Sequence, residues 1–325
     1  MATMVTTLYA EPDKLGPLAT KVSAIHDPVA LRTLLLRELA SAVQVIQDAA
    51  GAVDRGAADA VHEARKALRR ARAVLSMVGA ALPKREARAI RRELQHTRRS
   101  LSAARDHAVA PETLAQLTLD DDELATARRI LDNAAAARPT RAELGQLLAD
   151  GATRAAAQRE ALAAALPQEL GWDVVAAGIR SVYAEARRAR RCGKRSKAGF
   201  HTWRRRSKEI ICQLEVVAHH AGPRIAALRD ELDEVAKAMS PAVDLIMLRE
   251  FVATHAEGIA PDAVDQLVAT IDARLVEVMK DARKAGRDAF GLKPRRFEKR
   301  LAKAVERDLL ETRVDAEDRS ADEIC

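Results

Sequence analysis

The sequence predicts an all-α protein made of two antiparallel helical bundles, and three observations point there. Ala, Leu, Arg and Glu dominate the 325 residues, and all four favour helix. The 14 Gly and 11 Pro cluster between segments, and no alternating Val/Thr/Tyr run suggests a strand. A basic motif recurs about 139 residues after its first appearance, so the two halves read as an internal repeat. Hydrophobic residues make up 48% of the chain but aromatic ones only 2%, so the core must be filled by Leu, Val, Ile and Ala, whose small side chains let helices approach closely.

Residues 1–27, with Pro12, Gly16 and Pro17, lack sustained helical period and read as an irregular leader. Asp27 is the expected N-cap of the first helix, with Pro28 at its first position and Leu31, Leu34, Leu35, Leu39, Ala42, Val45 and Ile46 as its apolar face. Gly51 and Gly56 end it, and a second helix runs from about Asp59 to Leu82. A third follows Pro83 and continues to about Val109, with Pro111 beyond. The acidic run Asp120–Glu123 suits the N-terminus of a fourth, and the capping box Thr140-x-x-Glu143 starts a fifth. The punctuation restarts at Pro167, giving helices at about 171–192, 200–220, 223–256 with a break near Pro241, 261–285 and 294–315. Ten helices in two sets of five result, so the expected organisation is one bundle over 28–166, a second over 167–315, and a flexible tail over 316–325.

The formal charge of +7 is unevenly distributed. Residues 61–109 hold 13 Lys/Arg against 4 Asp/Glu, and residues 180–208 hold 12 against 1, which leaves the remainder at −13. Clustering of this kind creates a local field that attracts a polyanion: nucleic acid, polyphosphate or an anionic surface. The odd cysteine count, Cys192, Cys212 and Cys325, suggests neither a disulfide framework nor a zinc cluster, and fits a reducing cytoplasm. The N-terminus shows no charged start followed by an apolar stretch, and no later run approaches the roughly 20 apolar residues of a membrane span, so the chain reads as soluble.

Val61-His62-Glu63-Ala64-Arg65-Lys66-Ala67-Leu68-Arg69 aligns without gaps on Phe200-His201-Thr202-Trp203-Arg204-Arg205-Arg206-Ser207-Lys208 at an offset of 139. Leu101-Ser102-Ala103-Ala104-Arg105-Asp106 aligns on Met239-Ser240-Pro241-Ala242-Val243-Asp244 at an offset of 138, one indel away. A helix opening His-x-x-Arg-basic-x-x-Arg, followed by a helix carrying Leu-x-x-x-Arg-Asp, both occurring twice, resembles the conserved histidine α-helical domain (CHAD) family over about residues 28–315. The resemblance implies paired helical bundles about a pseudo-twofold axis, a basic central channel or groove, binding of inorganic polyphosphate, and association with polyphosphate granules. The second Leu-x-x-x-Arg-Asp departs from the pattern, with Val243 in the basic position and Pro241 within it, so the contribution of that corner is open.

Helical geometry supports a basic site independently. Val61, Ala64, Leu68, Ala71, Leu75 and Val78 form an apolar stripe, and His62, Arg65, Arg69 and Arg72 form a second stripe about 110° round the helix. Phe200, Trp203, Ser207, Ile210, Leu214 and Val217 repeat the core side, and His201, Arg204 and Lys208 the basic side. On the third helix Ala87, Ile90, Leu94 and Leu101 face inward with Arg88, Arg91 and Arg98 alongside, and Arg229 matches Arg91 at the 138 offset. Like charges at such spacing cost a helix roughly 0.2–0.5 kcal/mol per pair. A linear polyanion laid across the row compensates through charge-assisted bonds and counterion release; the alternative is a solvated face neutralised by acids on neighbouring helices.

Lys66 and Arg205 occupy the second basic position of each motif and join the site. Arg180, Arg187 and Arg191 are expected to add a further wall, and the tract Arg190–Lys197, including Lys194 and Arg195, a basic loop. Tyr183 either offers its hydroxyl to phosphate or sits in the core. His62 and His201 read as phosphate donors rather than metal ligands or general acids: no His-Glu-x-x-His occurs, a cationic stripe repels divalent cations, and no carboxylate partner converges in sequence. The remaining histidines, including His26, His219 and His220, lack repeat support. No phosphate-binding Gly-rich loop is present. The expectation is therefore a polyphosphate binder with no cofactor, no metal and no catalytic residue, the alternative being a duplex nucleic-acid binder using the same stripes.

Overall fold

The computed structural model describes residue 25 and residues 27–193 and 196–322, with the side chains of 219–221, 309 and 312–322 excepted. The expected leader lies outside the described residues apart from Ile25 and Asp27, as do His26, Lys194, Arg195, Cys325 and the side chains of His219 and His220. Among the described residues there are eleven helices and no strand: α1 Pro28–Gly51, α2 Ala57–Val78, α3 Lys84–Ser100, α4 Ser102–Leu114, α5 Asp121–Ala136, α6 Arg141–Ala165, α7 Trp172–Cys192, α8 Lys197–Ala221, α9 Pro223–Thr254, α10 Pro261–Ala289 and α11 Pro294–Asp322.

The caps account for most boundaries. Asp27 accepts from the backbone N–H of Val29 at 2.9 Å and of Ala30 at 3.2 Å, and Ser196 caps α8 by accepting from Gly199. Capping boxes start α5 at Asp120/Glu123 and α6 at Thr140/Glu143.

Three expected boundaries are corrected. The single helix from Pro83 to Val109 is broken at Leu101, with Pro111 inside the second piece. The side-chain hydroxyls of Thr97, Ser100 and Ser102 donate to the carbonyls of Glu93, Thr97 and Arg98, and this competition for backbone acceptors loosens the turn there. The expected break near Pro241 is absent: α9 is continuous through it, packed along its length on α8, α10 and α4. The missing N–H costs one ladder bond, which this packing outweighs. Finally, α11 continues to Asp322, so the tail expected from 316 is helical as far as that residue.

One apolar core runs from Ile25 to Val305. The stripes read from sequence lie inside it, including Leu68, Ala64 and Val78 on α2 and Phe200, Trp203 and Leu214 on α8, except that Val45 on α1 is only partly buried against the core and Val43 is buried instead. The helices of 28–166 and of 167–315 meet where α2 packs on α7 and α8 and where α4 packs on α9. The two segments also interlock through α5, which packs on α10 of the other segment as well as on α4 of its own. There Asn133 donates to the carbonyls of His255 and Glu257 at 2.9 Å, and Arg129 to that of Gly258 at 2.7 Å.

The α2–α7 crossing is close enough to require glycine. A Cβ at Gly178 would stand 2.1 Å from the Met77 carbonyl oxygen. Gly178→Val is accordingly expected to destabilise the fold by about 1–3 kcal/mol through overpacking, measured as a lower urea midpoint.

Candidate functional site

The α2–α8 contact sets the site. Each helix buries its apolar stripe in the core, which forces the flanking basic stripes of both onto a shared recess. Two bonds hold the contact: Gln213, fully buried on α8, donates to the Ser76 hydroxyl at 2.9 Å, and Arg70 on α2 pairs with Glu38 on α1 and with Glu215 on α8 at 3.5 Å.

The recess is a cavity of about 140 Å³. From α2 come Arg65, Arg69 and Arg72, from α3 Arg98, from α4 Arg105, and from α8 His201, Arg204, Arg205 and Lys208; Glu209 and Val243 complete the lining. Eight permanent cations therefore face one carboxylate. That carboxylate is already engaged, because Glu209 is 2.6 Å from Arg206. Among the described residues Arg69, Arg72, Arg98 and Arg205 have no acidic partner.

Matched positions of the sequence repeat make matched bonds. Arg65 donates to the Ser102 hydroxyl at 3.2 Å and to the Arg98 carbonyl, and Arg204 donates to the Ser240 hydroxyl at 3.3 Å. The two serines are equivalent in the 138-residue offset. The matched corners then diverge. Arg105 reaches Asp244 at 3.2 Å and Asp106 at 3.6 Å, while its counterpart Val243 is an apolar patch in the cavity wall. The second corner thus contributes an apolar side chain to the cavity where the first contributes a cation.

Crowding shows in the electrostatics. Burial above all, aided by neighbouring guanidinia, pushes Arg65, Arg72 and Arg204 down to about 10, with Glu209 opposing part of the shift at Arg72. Arg98 is lowered for the same reasons, with Arg205 and Arg69 the main charged neighbours. His201, at the cavity rim, is held below the ordinary imidazole value by desolvation and then by Arg205 and Arg204, so its neutral form is favoured while the cavity is empty. The Nε atoms of Arg72, Arg98 and Arg204 are buried without a hydrogen-bond partner among the described residues.

Two further concavities adjoin this one. A larger one of about 760 Å³ shares Arg65, Arg69, Arg105, Arg204 and Lys208 with it and adds His62, Lys66 and Arg229. Here the cations are largely matched: Lys66 pairs with Glu63, Lys208 with Asp233 at 3.0 Å and Arg229 with Asp230. On the other side, a concavity of about 350 Å³ shares Arg72, Arg205 and Glu209 and adds Arg88, Arg91, Arg92, Arg99 and Arg206.

His62 and His201 therefore stand on cavities with a common wall, and the motif cations of α2, α3 and α8 are brought together. The further wall expected from α7 is not part of the site. Tyr183 is fully buried, stacked on Phe297 with ring centroids 4.0 Å apart, and its hydroxyl donates to the carbonyls of Ala289 and Leu292, so it is a core residue whose phenol burial pushes up to about 12. Arg180 turns to Glu298 on α11 at 2.9 Å, and Arg187 and Arg191 line none of the three concavities. Sequence reasoning missed Arg92, Arg99, Arg105 and Arg206 as lining residues. Arg105 carried a signal in its Arg-Asp motif, and Arg88, Arg92, Gln95 and Arg99 follow the 4-3-4 spacing of one helix face. Among the described residues no group of three or more His, Cys, Asp or Glu side chains is placed to hold a metal ion.

Fold and site together define a helical-bundle protein with an arginine-walled cavity at the meeting of two motif helices. A family model for the CHAD domain matches residues 37–253, two thirds of the chain, and the chain belongs to that family. A crystal structure of the CHAD domain from the plant Ricinus communis is similar in fold, with a TM-score of 0.62 and 19% sequence identity, covering 83% of this chain and 94% of that one. No curated protein matches the sequence.

A guanidinium desolvated among like charges opposes folding when a nearby carboxylate, here Glu209, offsets only part of the cost. At neutral pH the Arg72 penalty is fully present, and it fades only as pH rises through about 10, where the folded-state group loses its proton. Arg72→Met, which keeps the aliphatic stem, is expected to stabilise the ligand-free protein by about 1 kcal/mol after discounting for solvent screening, seen as a higher thermal midpoint at pH 7.

Proposed function

We propose that this protein binds inorganic polyphosphate in the arginine-walled cavity without turning it over, and that in the cytoplasm this binding associates it with polyphosphate granules. The observation that carries the reading is the cavity itself: eight cations from four helices against one occupied carboxylate. A chain of phosphates supplies a negative charge at each repeat and oxygens all round, which matches converging guanidinium forks. Family membership supports the same ligand class.

Size argues against a nucleic-acid duplex. A recess of about 140 Å³ admits a slender chain but not a double helix. Single-stranded nucleic acid gains much of its binding energy from stacking on aromatic rings, and the lining of the cavity offers only His201.

Two measurements test the reading. Arg65→Glu combined with Arg204→Glu is expected to weaken binding of long-chain polyphosphate on the order of a hundredfold with unchanged helicity, followed by titration calorimetry and circular dichroism. Duplex DNA of equal charge that outcompetes polyphosphate would reverse the ranking. The second measurement is pH dependence. A bound phosphate favours the imidazolium of His201, whose free-state value is lowered, so binding takes up a proton and affinity rises as pH falls from neutral toward the lowered free-state value. His201→Gln is expected to flatten that profile.

A further inference from the structure

The three adjoining concavities differ in how much of their charge is available. The central cavity and the concavity on its α3 side hold eight and seven cations respectively, with Glu209 the sole carboxylate in both. The concavity on the α9 side also holds seven cations, but six carboxylates line it with them. Several are in contact: Asp233 holds Lys208, Asp230 holds Arg229 and Asp244 holds Arg105. On the α3 side Arg206 is held by Glu185 and Glu209, but Arg88, Arg91 and Arg99 are exposed and make no ion pair among the described residues, and Arg92 reaches only its neighbour Glu93, at 3.5 Å.

A phosphate polymer follows uncompensated charge. To cross the α9 side it would have to displace three formed ion pairs and pass the carboxylates of Asp59 and Glu112 as well. To cross the α3 side it meets the guanidinia of Arg88, Arg92 and Arg99 along one helix face, with Arg91 beside them, presented to solvent and continuous with the cavity through Arg72 and Arg205. Clusters of like charge on a cleft wall focus the field toward that opening.

Resting on the polyphosphate reading, we propose that the bound chain leaves the cavity on one side only, across the α3 face formed by Arg88, Arg91, Arg92 and Arg99, so that this face is a specificity-determining arm of the site. The α9 side ends the footprint. The protein then holds a chain terminus of its ligand, and gains affinity with chain length only until the α3 face is covered.

The test compares two charge-neutralised variants on the full-length protein, with polyphosphate binding measured by fluorescence anisotropy across a salt series. Arg88→Gln/Arg91→Gln/Arg92→Gln alters three exposed residues of α3, and relief of like-charge contacts there favours folding. Lys66→Gln/Arg229→Gln alters the α9 side. With long-chain polyphosphate the α3 variant is expected to lose at least tenfold more affinity than the α9-side variant and to show a shallower salt slope, since each lost phosphate contact removes a released counterion. With a polyphosphate just long enough to fill the cavity, the α3 variant and the unaltered protein are expected to bind alike. Equal losses in the two variants, or a larger loss on the α9 side, overturn the one-sided path while leaving cavity binding intact. Failure of the unaltered protein to bind polyphosphate sinks the functional reading and the path with it.

Discussion

Repulsion among the cavity guanidinia is the constraint on which the rest of the structure depends. Arg65, Arg69, Arg72, Arg98, Arg204 and Arg205 are gathered in one recess, several of them lowered by burial and by each other. Hydrogen bonds from Arg65 to Ser102 and the Arg98 carbonyl, and from Arg204 to Ser240, offset only part of that repulsion, so the arrangement persists because something stronger holds the helices. That hold is the core: Leu68, Leu75, Trp203 and Leu214 are fully buried within it, and burying such side chains is worth roughly 1.5–3 kcal/mol each. Repulsion between partly solvated guanidinia is screened by water and salt, so the apolar faces win and the basic stripes are carried wherever those faces dictate.

This explains which parts of the site are legible in the sequence. The stripes on α2, α3 and α8 can be read because helical periodicity couples each cation to a core residue one or two positions away, as Arg65 to Ala64 and Arg204 to Trp203. Once the core face is known, the direction of the neighbouring cation is known too. Tyr183 fails this logic. Its local sequence is as basic as the motif helices, but its fate is decided by Phe290 and Phe297, more than 100 residues downstream, with which it stacks. Arg180 is likewise settled by Glu298 on α11. The break at Leu101 and the continuity at Pro241 were illegible for a related reason: each turns on whether hydroxyls or neighbouring helices satisfy the local backbone, and spacing does not report that.

The two halves are alike in what they bury and unlike in what they leave charged. Arg65 and Arg204 sit against equivalent serines, and both motif helices bury equivalent faces. Where the repeat offers Arg105 in one half it offers Val243 in the other, and the adjacent Asp244 turns back on Arg105. Substitution at a surface charge disturbs the core little, whereas substitution in a close-packed face is felt at once. The charged positions can therefore differ between the two halves while the buried faces stay alike, and the two sides of the cavity differ accordingly.

Site and core also act on the same contact. The repulsive row of α2 faces that of α8 across the interface that Gln213 and Arg70 bridge, so like-charge crowding loads the junction on which the bundle's two segments meet. An anion in the cavity removes that load without touching a single core atom. Ligand binding to the folded state and tightening of the α2–α8 contact are then two descriptions of one free-energy change, because whatever binds only the native arrangement stabilises it by mass action. A fold assembled against its own charge is, for that reason, already organised around the partner that would neutralise it.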